Sequence, residues 1–179
     1  MNSGMNKALF LDRDGVINEV VFRNGEPSSP RKIEEFIVEQ STINIINECS
    51  KEYLIFIVSN QPDVKRGKID IKELIKMNNY LYKNMNIKDI INETEDNKKL
   101  KKPNPDMILK LCKEHNVDKK SSFIVGDRWV DILAGKNSGI QTILLEKEYS
   151  NNQTSAGKPP DDLYPDKIIK SLDELAEII

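Results

Sequence analysis

Short, uninterrupted runs of apolar residues recur along the chain and predict buried β-strands. None of the runs alternates apolar with polar positions, and all are rich in branched and aromatic residues, as expected of strands covered on both faces. The clearest runs are ALFL (8–11), YLIFIV (53–58), SFIV (122–125) and QTILL (141–145). Strands of this kind are typical of parallel sheets, so the pattern predicts a parallel sheet at the centre of the protein.

Between these runs, apolar residues are spaced three and four positions apart, which predicts helices. The positions in three such segments are Ile43, Ile46 and Cys49; Ile71, Leu74, Ile75, Met77, Leu81 and Tyr82; and Met107, Ile108, Leu111 and Cys112. Strands and helices therefore alternate along the chain. This order predicts an α/β fold: a three-layer, Rossmann-like parallel sheet with helices on both faces.

Other segments predict smaller elements. KDIIN (88–92) and DKIIK (166–170) indicate further strands, and a last helix follows with Ser171 as its N-cap and an apolar face of Leu172, Leu175, Ala176 and Ile179. The pair Asn24-Gly25 predicts a hairpin turn, so that residues 20–27 form a small flap. Residues 146–165 are polar and rich in Gly and Pro, and predict a long loop.

Length, charge and cysteine content narrow the class of protein. At 179 residues we expect one domain, residues 1–179, whose core needs no disulfide or structural metal. The net charge of -2 indicates no general attraction to nucleic acid or to an anionic membrane. The two cysteines lie in apolar segments and favour a reducing, cytoplasmic location. We expect a small-molecule partner and a monomer or small homo-oligomer.

Polar residues follow the predicted strands directly, where ligands of open parallel sheets bind. These residues are Asp12-Arg13-Asp14-Gly15, Ser59-Asn60-Gln61, and Gly126-Asp127-Arg128 with Asp131 beyond it, while Lys101 and Lys102 precede a helix. Carboxylates that meet at one edge repel one another unless a cation neutralises them, and Mg²⁺ prefers such oxygen ligands. One Asp oxygen could then attack a phosphate held by Lys and Ser, and a second Asp could protonate the leaving oxygen.

Each motif alone also has an ordinary structural explanation. A D-x-D sequence is common in solvated turns, and Asn104-Pro105-Asp106 suits a helix N-terminus with Asn as the cap. It is the joint pattern, with every polar group at an expected strand end, that favours phosphoryl transfer.

Four segments together resemble the motifs of the haloacid dehalogenase superfamily of phosphohydrolases. They are LFLDRDGVIN (9–18), VSNQPDVKRG (58–67), KKPNPDM (101–107) and GDRWVDILAGKNSGI (126–140). The similarity is greatest to the small, capless branch that contains heptose bisphosphate and histidinol-phosphate phosphatases. The resemblance implies a Mg²⁺-dependent phosphomonoesterase that works through an aspartyl-phosphate on a small metabolite. A heptose bisphosphate is the first candidate substrate, and histidinol phosphate or another small phosphate ester is the alternative.

The resemblance also implies the roles of individual residues. Asp12 is the expected nucleophile and Asp14 the general acid and base, while Ser59 and Asn60 hold the transferring phosphoryl group and Lys102 neutralises it. Each of these side chains belongs to one of the four motifs. The expected catalytic set is therefore complete.

A metal site is implied as well. Asp12, Asp127 and the backbone carbonyl of Asp14 are the expected Mg²⁺ ligands. Asp131 is expected to orient these ligands without binding the ion itself. Members of this branch commonly carry a zinc loop of Cys and His before the motif lysine. Residues 92–101 contain neither, so no zinc is expected.

Basic residues near the motifs are candidates for binding the rest of the substrate. Arg13, Lys65, Arg66 and Arg128 could each bind a second phosphate or be surface charges, and Lys101 lies beside the motif lysine. Arg66 is the preferred candidate because VKRG resembles a substrate-loop position of the family. No insertion is long enough for a cap, so we expect an open cleft whose rim selects the substrate.

Two other classes of protein are the alternatives to an enzyme: a non-catalytic phosphate-binding domain and a phospho-accepting receiver domain. Asp14 disfavours both, because neither needs an acid two residues after the nucleophile.

Overall fold

A six-stranded, wholly parallel sheet forms the centre of the computed structural model, which describes residues 4–150 and 157–179. Its strands are β1 (Ala8–Leu11), β4 (Leu54–Asn60), β5 (Asp89–Glu93), β6 (Phe123–Gly126), β7 (Gln141–Leu145) and β8 (Lys167–Ile169). Their order in the sheet is β5-β4-β1-β6-β7-β8. The chain thus winds outward from β1 in one direction and then from β6 in the other. The crevice between β1 and β6 is where such sheets bind ligands.

Helices cover both faces of this sheet. They are α1 (Gln40–Cys49), α2 (Ile71–Asn84), α3 (Asp106–Glu114), α4 (Trp129–Ser138) and α5 (Leu175–Ile178). Leu9 and Leu11 of β1 point into the core beneath α1, α2 and α5, whereas Ala8 and Phe10 pack with α3 and α4. Both faces are therefore apolar, which explains why the strand runs do not alternate. The predicted α/β fold is confirmed.

The helix α4 was not among the sequence-based predictions, and its packing explains why. It is rich in small residues and is buried on several sides instead of along one stripe. A Cβ on Gly135 would collide with Ile124 and Thr142, so this helix lies directly against the sheet. A helix enclosed in this way lacks the amphipathic period by which helices are identified.

Several predicted boundaries shift by one or two residues. β4 extends to Asn60 because Ser59 and Asn60 pair with Asn92 and Glu93 of β5. In α2 only Leu74, Met77 and Leu81 are buried, while Ile71, Ile75 and Tyr82 are about half exposed. Beyond Ser171, which caps as predicted, the chain forms a 3-10 turn before the short α5, and Ala176 is exposed instead of packed.

The flap is confirmed as the hairpin of β2 (Val21–Arg23) and β3 (Glu26–Ser28). Asn24 and Gly25 have φ of 53° and 80°, which suits a type I′ turn. The described parts of the long loop, residues 146–150 and 157–165, contain neither helix nor strand; residues 151–156 of that prediction lie outside the described residues. The Trp129 indole donates from Nε1 to the Gly157 carbonyl at 3.1 Å, which links the start of α4 to this loop.

Three global features can be compared with the expectations from the sequence. Cys49 and Cys112 are free thiols. No helix within residues 4–150 and 157–179 combines the length and the apolar composition needed to cross a bilayer. Between the first and the third motif, the chain contains the flap, a 3-10 turn at Ile33–Glu35, α1, β4, α2 and β5, and no separate cap.

Candidate active site

Lys102 lies at the centre of the polar edge of the sheet, almost fully buried. Its Nζ lies 2.7 Å from Asp12 Oδ1, 2.6 Å from Asp131 Oδ1 and 2.6 Å from the Val58 carbonyl oxygen. Burial alone would lower the pKa of Lys102, but the two carboxylates outweigh it and raise that pKa above its ordinary value. The lysine therefore stays protonated beside the expected nucleophile.

Asn60 positions Lys102 through its backbone. The Asn60 side chain accepts from Lys102 N at 2.8 Å and donates to Lys102 O at 3.0 Å. Both ends of the carboxamide are thereby engaged, although the sequence predicted that this side chain would hold the phosphoryl group. In the structure the Asn60 side chain fixes the segment that carries the lysine.

Asp14 lies between Arg13 and Gln61, with all three side chains buried. Arg13 donates to the Asp14 carboxylate from Nε at 2.9 Å and from Nη2 at 3.1 Å, and its guanidinium lies 5.4 Å from the centre of the Phe36 ring. Burial by itself would raise the pKa of Asp14, but Arg13 and the hydrogen bonds to the carboxylate lower it. Arg13 is fully buried and its guanidinium binds the Asp14 carboxylate, which favours the ionised form of Asp14. Its expected contact with substrate stays a prediction.

Gln61 joins Asp14, the expected acid and base, to Ser59, which is expected to bind phosphate. Its Nε2 donates to Asp14 Oδ2 at 2.7 Å and to Ser59 Oγ at 2.8 Å. Sequence reasoning placed Gln61 at the strand end but gave it no role. The feature that could have indicated this role is its side-chain amide, which can donate two hydrogen bonds and comes directly after Ser59-Asn60.

Asp127 carries the clearest sign of a cation site. It is fully buried, and neither carboxylate oxygen has a hydrogen-bond partner among the described residues. Burial, then the negative charge of Asp12, raises the pKa of Asp127 to about 8. Burial likewise raises the pKa of Asp12 to about 6, although Lys102 opposes the shift. Carboxylate oxygens of Asp12, Asp127 and Asp131 lie within 4.8 Å of one another, and such oxygens suit Mg²⁺.

Two glycines permit this close packing of carboxylates. Gly15 has a φ of +92°, and a Cβ there would overlap Asp127 Oδ2 and crowd the Tyr149 hydroxyl. A Cβ on Gly126 would overlap the side chain of Asp131. Asp131 in turn accepts from Arg128 N at 3.1 Å with Oδ2, so the same carboxylate caps α4 and holds Lys102. This arrangement is consistent with the expected orienting role of Asp131.

The loop after β7 also reaches the site, which the sequence did not reveal. Ser150 Oγ donates to the Asp127 carbonyl at 2.7 Å, and the Tyr149 hydroxyl lies beside the Asp127 carboxylate. Arg128 Nε lies 3.9 Å from Asp127 Oδ1. Arg128 therefore belongs to the carboxylate cluster and not to the outer rim.

The remaining basic candidates, Arg66, Lys101 and Lys65, all form ion pairs. Arg66 Nε donates to Asp96 Oδ2 at 2.8 Å, and its Nη1 lies 3.2 Å from Asp63 Oδ1. Lys101 Nζ donates to the other oxygen of Asp96 at 2.7 Å, and Lys65 Nζ lies 3.0 Å from Glu95. Every one of these cations has an acidic neighbour.

A second group of possible metal-binding side chains lies outside this edge. Asp89, Glu114 and His115 come together where β5 begins and α3 ends, which is the amino-terminal side of the sheet. None of them belongs to residues 92–101, so the expectation of no zinc in that loop stays a prediction.

Comparisons with known proteins point to one class of enzyme. A family model described as HAD-hydrolase-like matches residues 99–175. The chain is 32% identical over 150 residues to a D-glycero-beta-D-manno-heptose-1,7-bisphosphate 7-phosphatase of Helicobacter pylori, over 78% of this chain and 83% of the relative. It is 34% identical over 152 residues to the D-glycero-alpha-D-manno-heptose enzyme of Campylobacter jejuni, over 79% and 83%. A solved D,D-heptose 1,7-bisphosphate phosphatase from B. bronchiseptica, complexed with magnesium and phosphate, has the same fold, with a TM-score of 0.76 over 96% of both chains at 21% identity.

Proposed function

Because the chain belongs to the haloacid dehalogenase-like family of hydrolases, we propose that it is a Mg²⁺-dependent phosphatase that removes one phosphate from a heptose 1,7-bisphosphate. Membership of the family confirms the resemblance seen in the four motifs and makes the protein a phosphoric monoester hydrolase. The observation that carries the proposal is the contact of Lys102 with both Asp12 and Asp131, beside the buried carboxylate of Asp127, which accepts no hydrogen bond from the described residues. The choice of a heptose rests on the two relatives.

In the first half of the proposed reaction, Asp12 is the nucleophile. Lys102 contacts its Oδ1, so the other carboxylate oxygen attacks phosphorus while the bond from phosphorus to the sugar oxygen breaks. The sugar oxygen leaves with a proton from Asp14. Asp14 is ionised in the empty site, and the charge of a bound phosphate favours its protonated form.

In the second half, water releases the phosphate. Asp14 takes a proton from the water, whose oxygen attacks phosphorus while the bond from phosphorus to Asp12 breaks. Arg13 and Gln61 hold Asp14 in the ionised form that this step needs. Inorganic phosphate leaves and the Asp12 carboxylate is restored.

A divalent ion fits the buried carboxylates. Asp12, Asp127 and the Asp14 carbonyl are the groups that would hold it. When bound, Mg²⁺ neutralises negative charge on the phosphate and on the carboxylates around it. The chain itself contributes Lys102 and Ser59 to the phosphate.

The proposal is tested by phosphate release from the α and β anomers of D-glycero-D-manno-heptose 1,7-bisphosphate, from histidinol phosphate and from p-nitrophenyl phosphate. We expect Mg²⁺-dependent, multiple-turnover hydrolysis of all substrates that react, with kcat/KM at least about tenfold higher for one heptose anomer than for histidinol phosphate. Asp12→Asn is the control and should lose all turnover. A preference for histidinol phosphate would overturn the substrate, and a single phosphorylation without turnover would overturn the enzyme.

A further inference from the structure

We propose that Asp96 occupies the position of the substrate's second anionic group in the empty enzyme, and that this group displaces it from Arg66 and Lys101. The inference rests on the proposed function, because it assigns a site to the phosphate that does not react. It makes Asp96 a specificity-determining residue: it competes with the substrate for the cations that bind it.

The contacts of Asp96 are those of an anion between two cations. Its Oδ2 accepts from Arg66 Nε at 2.8 Å, and Arg66 Nη2 also lies 2.8 Å from that oxygen. Its Oδ1 accepts from Lys101 Nζ at 2.7 Å. One carboxylate thus brings together cations from two segments of the chain. A phosphate has more oxygens and more negative charge, and can bind the same two groups.

The two cations lie at the edge of the sheet where the chemistry occurs. Lys101 immediately precedes Lys102, whose Nζ lies 2.7 Å from Asp12 Oδ1. Arg66 follows the carboxyl end of β4, six residues after Asn60, which fixes the backbone of Lys102. A substrate with a phosphate on each end can therefore place one at Lys102 and direct the other towards Lys101.

Asp96 is suited to leave this position, whereas Asp63 is suited to stay. Asp96 is exposed and lies in an irregular segment after β5. The Asp63 side chain is only 15% exposed, and its carbonyl accepts from Lys68 N and Ile69 N. Arg66 can thus keep Asp63 as its support while a ligand replaces Asp96. Exposed ion pairs add little stability, so exchanging this one is not costly.

The alternative role for Asp96 is that of a support, which holds Arg66 and Lys101 in the orientation that the substrate needs. The two roles predict opposite effects of removing its charge. A competitor weakens the binding of a bisphosphate, so its loss lowers KM. A support strengthens that binding, so its loss raises KM.

The test is Asp96→Asn, which keeps the shape of the side chain and removes its charge. The readout is the ratio of kcat/KM for heptose 1,7-bisphosphate to kcat/KM for p-nitrophenyl phosphate, because this ratio does not depend on the fraction of folded enzyme. We expect the ratio to rise about 3- to 10-fold through a lower KM for the bisphosphate. Arg66→Ala should lower the same ratio about 10- to 1000-fold, since the bidentate group is lost.

Glu95→Gln is the matched control. It removes one negative charge from the adjacent position, but Glu95 contacts Lys65 and neither Arg66 nor Lys101. We expect its ratio to change less than about twofold. An equal rise in both variants would reduce the effect to general electrostatics, and a higher KM in Asp96→Asn would make Asp96 a support; either result overturns the inference. If the wild type hydrolyses p-nitrophenyl phosphate but no bisphosphate, the proposed substrate fails and Asp96 has nothing to compete with.

Discussion

At the scale of single residues, the site is governed by how buried charges are balanced. Lys102 is the only cation in contact with both Asp12 and Asp131 among the described residues, and it is almost fully buried. Asp127 has no cation as close as this: Arg128 Nε lies 3.9 Å from its Oδ1, and neither of its carboxylate oxygens accepts a hydrogen bond from the described residues. Since unpaired buried charge destabilises a folded protein, these two residues should respond to substitution in opposite ways.

Replacing the lysine should cost both activity and stability. Lys102→Met leaves Asp12 and Asp131 without their common cation, and we expect kcat to fall at least about 1000-fold and stability to fall by about 3–5 kcal/mol. Lys102→Arg tests the shape of the site, because a guanidinium is too large for the space and should not restore activity. Steady-state kinetics and denaturant unfolding measure the two effects. Near wild-type activity in Lys102→Arg would show that charge alone is enough.

Replacing the Asp127 carboxylate should remove activity but stabilise the metal-free protein. The pKa of Asp127 is about 8 in the folded state against 3.8 for the ordinary carboxyl, so between these values the folded state holds a proton that the unfolded state has lost. The stability of the metal-free wild type therefore falls as pH rises through this window. We expect Asp127→Asn to lack this decline and to be more stable by roughly 1–3 kcal/mol at pH 8.

Melting curves in EDTA from pH 5 to pH 9 measure this difference. Addition of Mg²⁺ should raise the Tm of the wild type and leave that of Asp127→Asn unchanged, because binding to the folded state alone is stabilising. A variant that melts below the wild type at pH 8 would show that Arg128 or the Tyr149 hydroxyl already balances the charge of Asp127, and would contradict the prediction.

At the scale of elements, the ends of β1, β4 and β6 bring the reacting groups together, and α4 fixes one of them. Asp131 lies in the first turn of α4, where it caps the helix and reaches Lys102. It can do both because Gly126, the last residue of β6, leaves room for it. The end of β6 and the start of α4 therefore form one unit that fixes the Asp131 carboxylate.

Gly126→Ala should disrupt this unit. The new methyl group would overlap Asp131, so either α4 shifts or the carboxylate leaves Lys102. We expect a loss of about 1–3 kcal/mol in stability, as for other overpacked sites, with kcat at least about tenfold lower. Gly25→Asn in the flap is the control, because nothing lies within 4 Å of that position and Asn tolerates its positive φ. Wild-type kinetics in Gly126→Ala would mean that Asp131 does not act through Lys102.

At the scale of the whole molecule, the absence of a cap among the described residues leaves substrate selection to the rim. That rim consists of the flap, the segment from Asp63 to Gly67, residues 92–101 and the described part of the loop after β7. Residues 92–101 contribute Asp96 and Lys101 to ion pairs and contain no Cys or His. We expect this charge pairing, instead of a zinc ion, to support the loop.

The metal content of the purified protein tests whether this loop binds zinc. We expect EDTA to abolish activity and Mg²⁺ to restore it, while elemental analysis finds well below one equivalent of zinc. Asp96→Asn should not change the zinc content, whereas it would if this loop bound the metal. Stoichiometric zinc that survives dialysis would contradict the prediction, and His115→Ala would then test the group at the other side of the sheet.

The sequence alone determined the fold and the location of the site. Uninterrupted apolar runs specify strands buried on both faces, and the residues after them must meet at one edge of a parallel sheet, because both rules depend only on local order along the chain. The positions of Asp12, Asp14 and Asp127 follow from these rules, and Lys102 is placed at the same edge because it precedes a predicted helix. So does the flap, since Asn-Gly favours its turn wherever it occurs.

Only the tertiary structure decided what several of these side chains do. Asn60 binds the backbone of Lys102 from 42 residues away, Arg13 turns inward to Asp14 and Phe36, and Asp96 closes on Arg66 from 30 residues away. α4 was missed for a related reason, because it is enclosed by parts of the fold far from it in sequence. A sequence pattern states which groups are available at an edge. Which of them pair with one another depends on distances that exist only after the chain has folded, and that pairing decides which groups remain for the substrate.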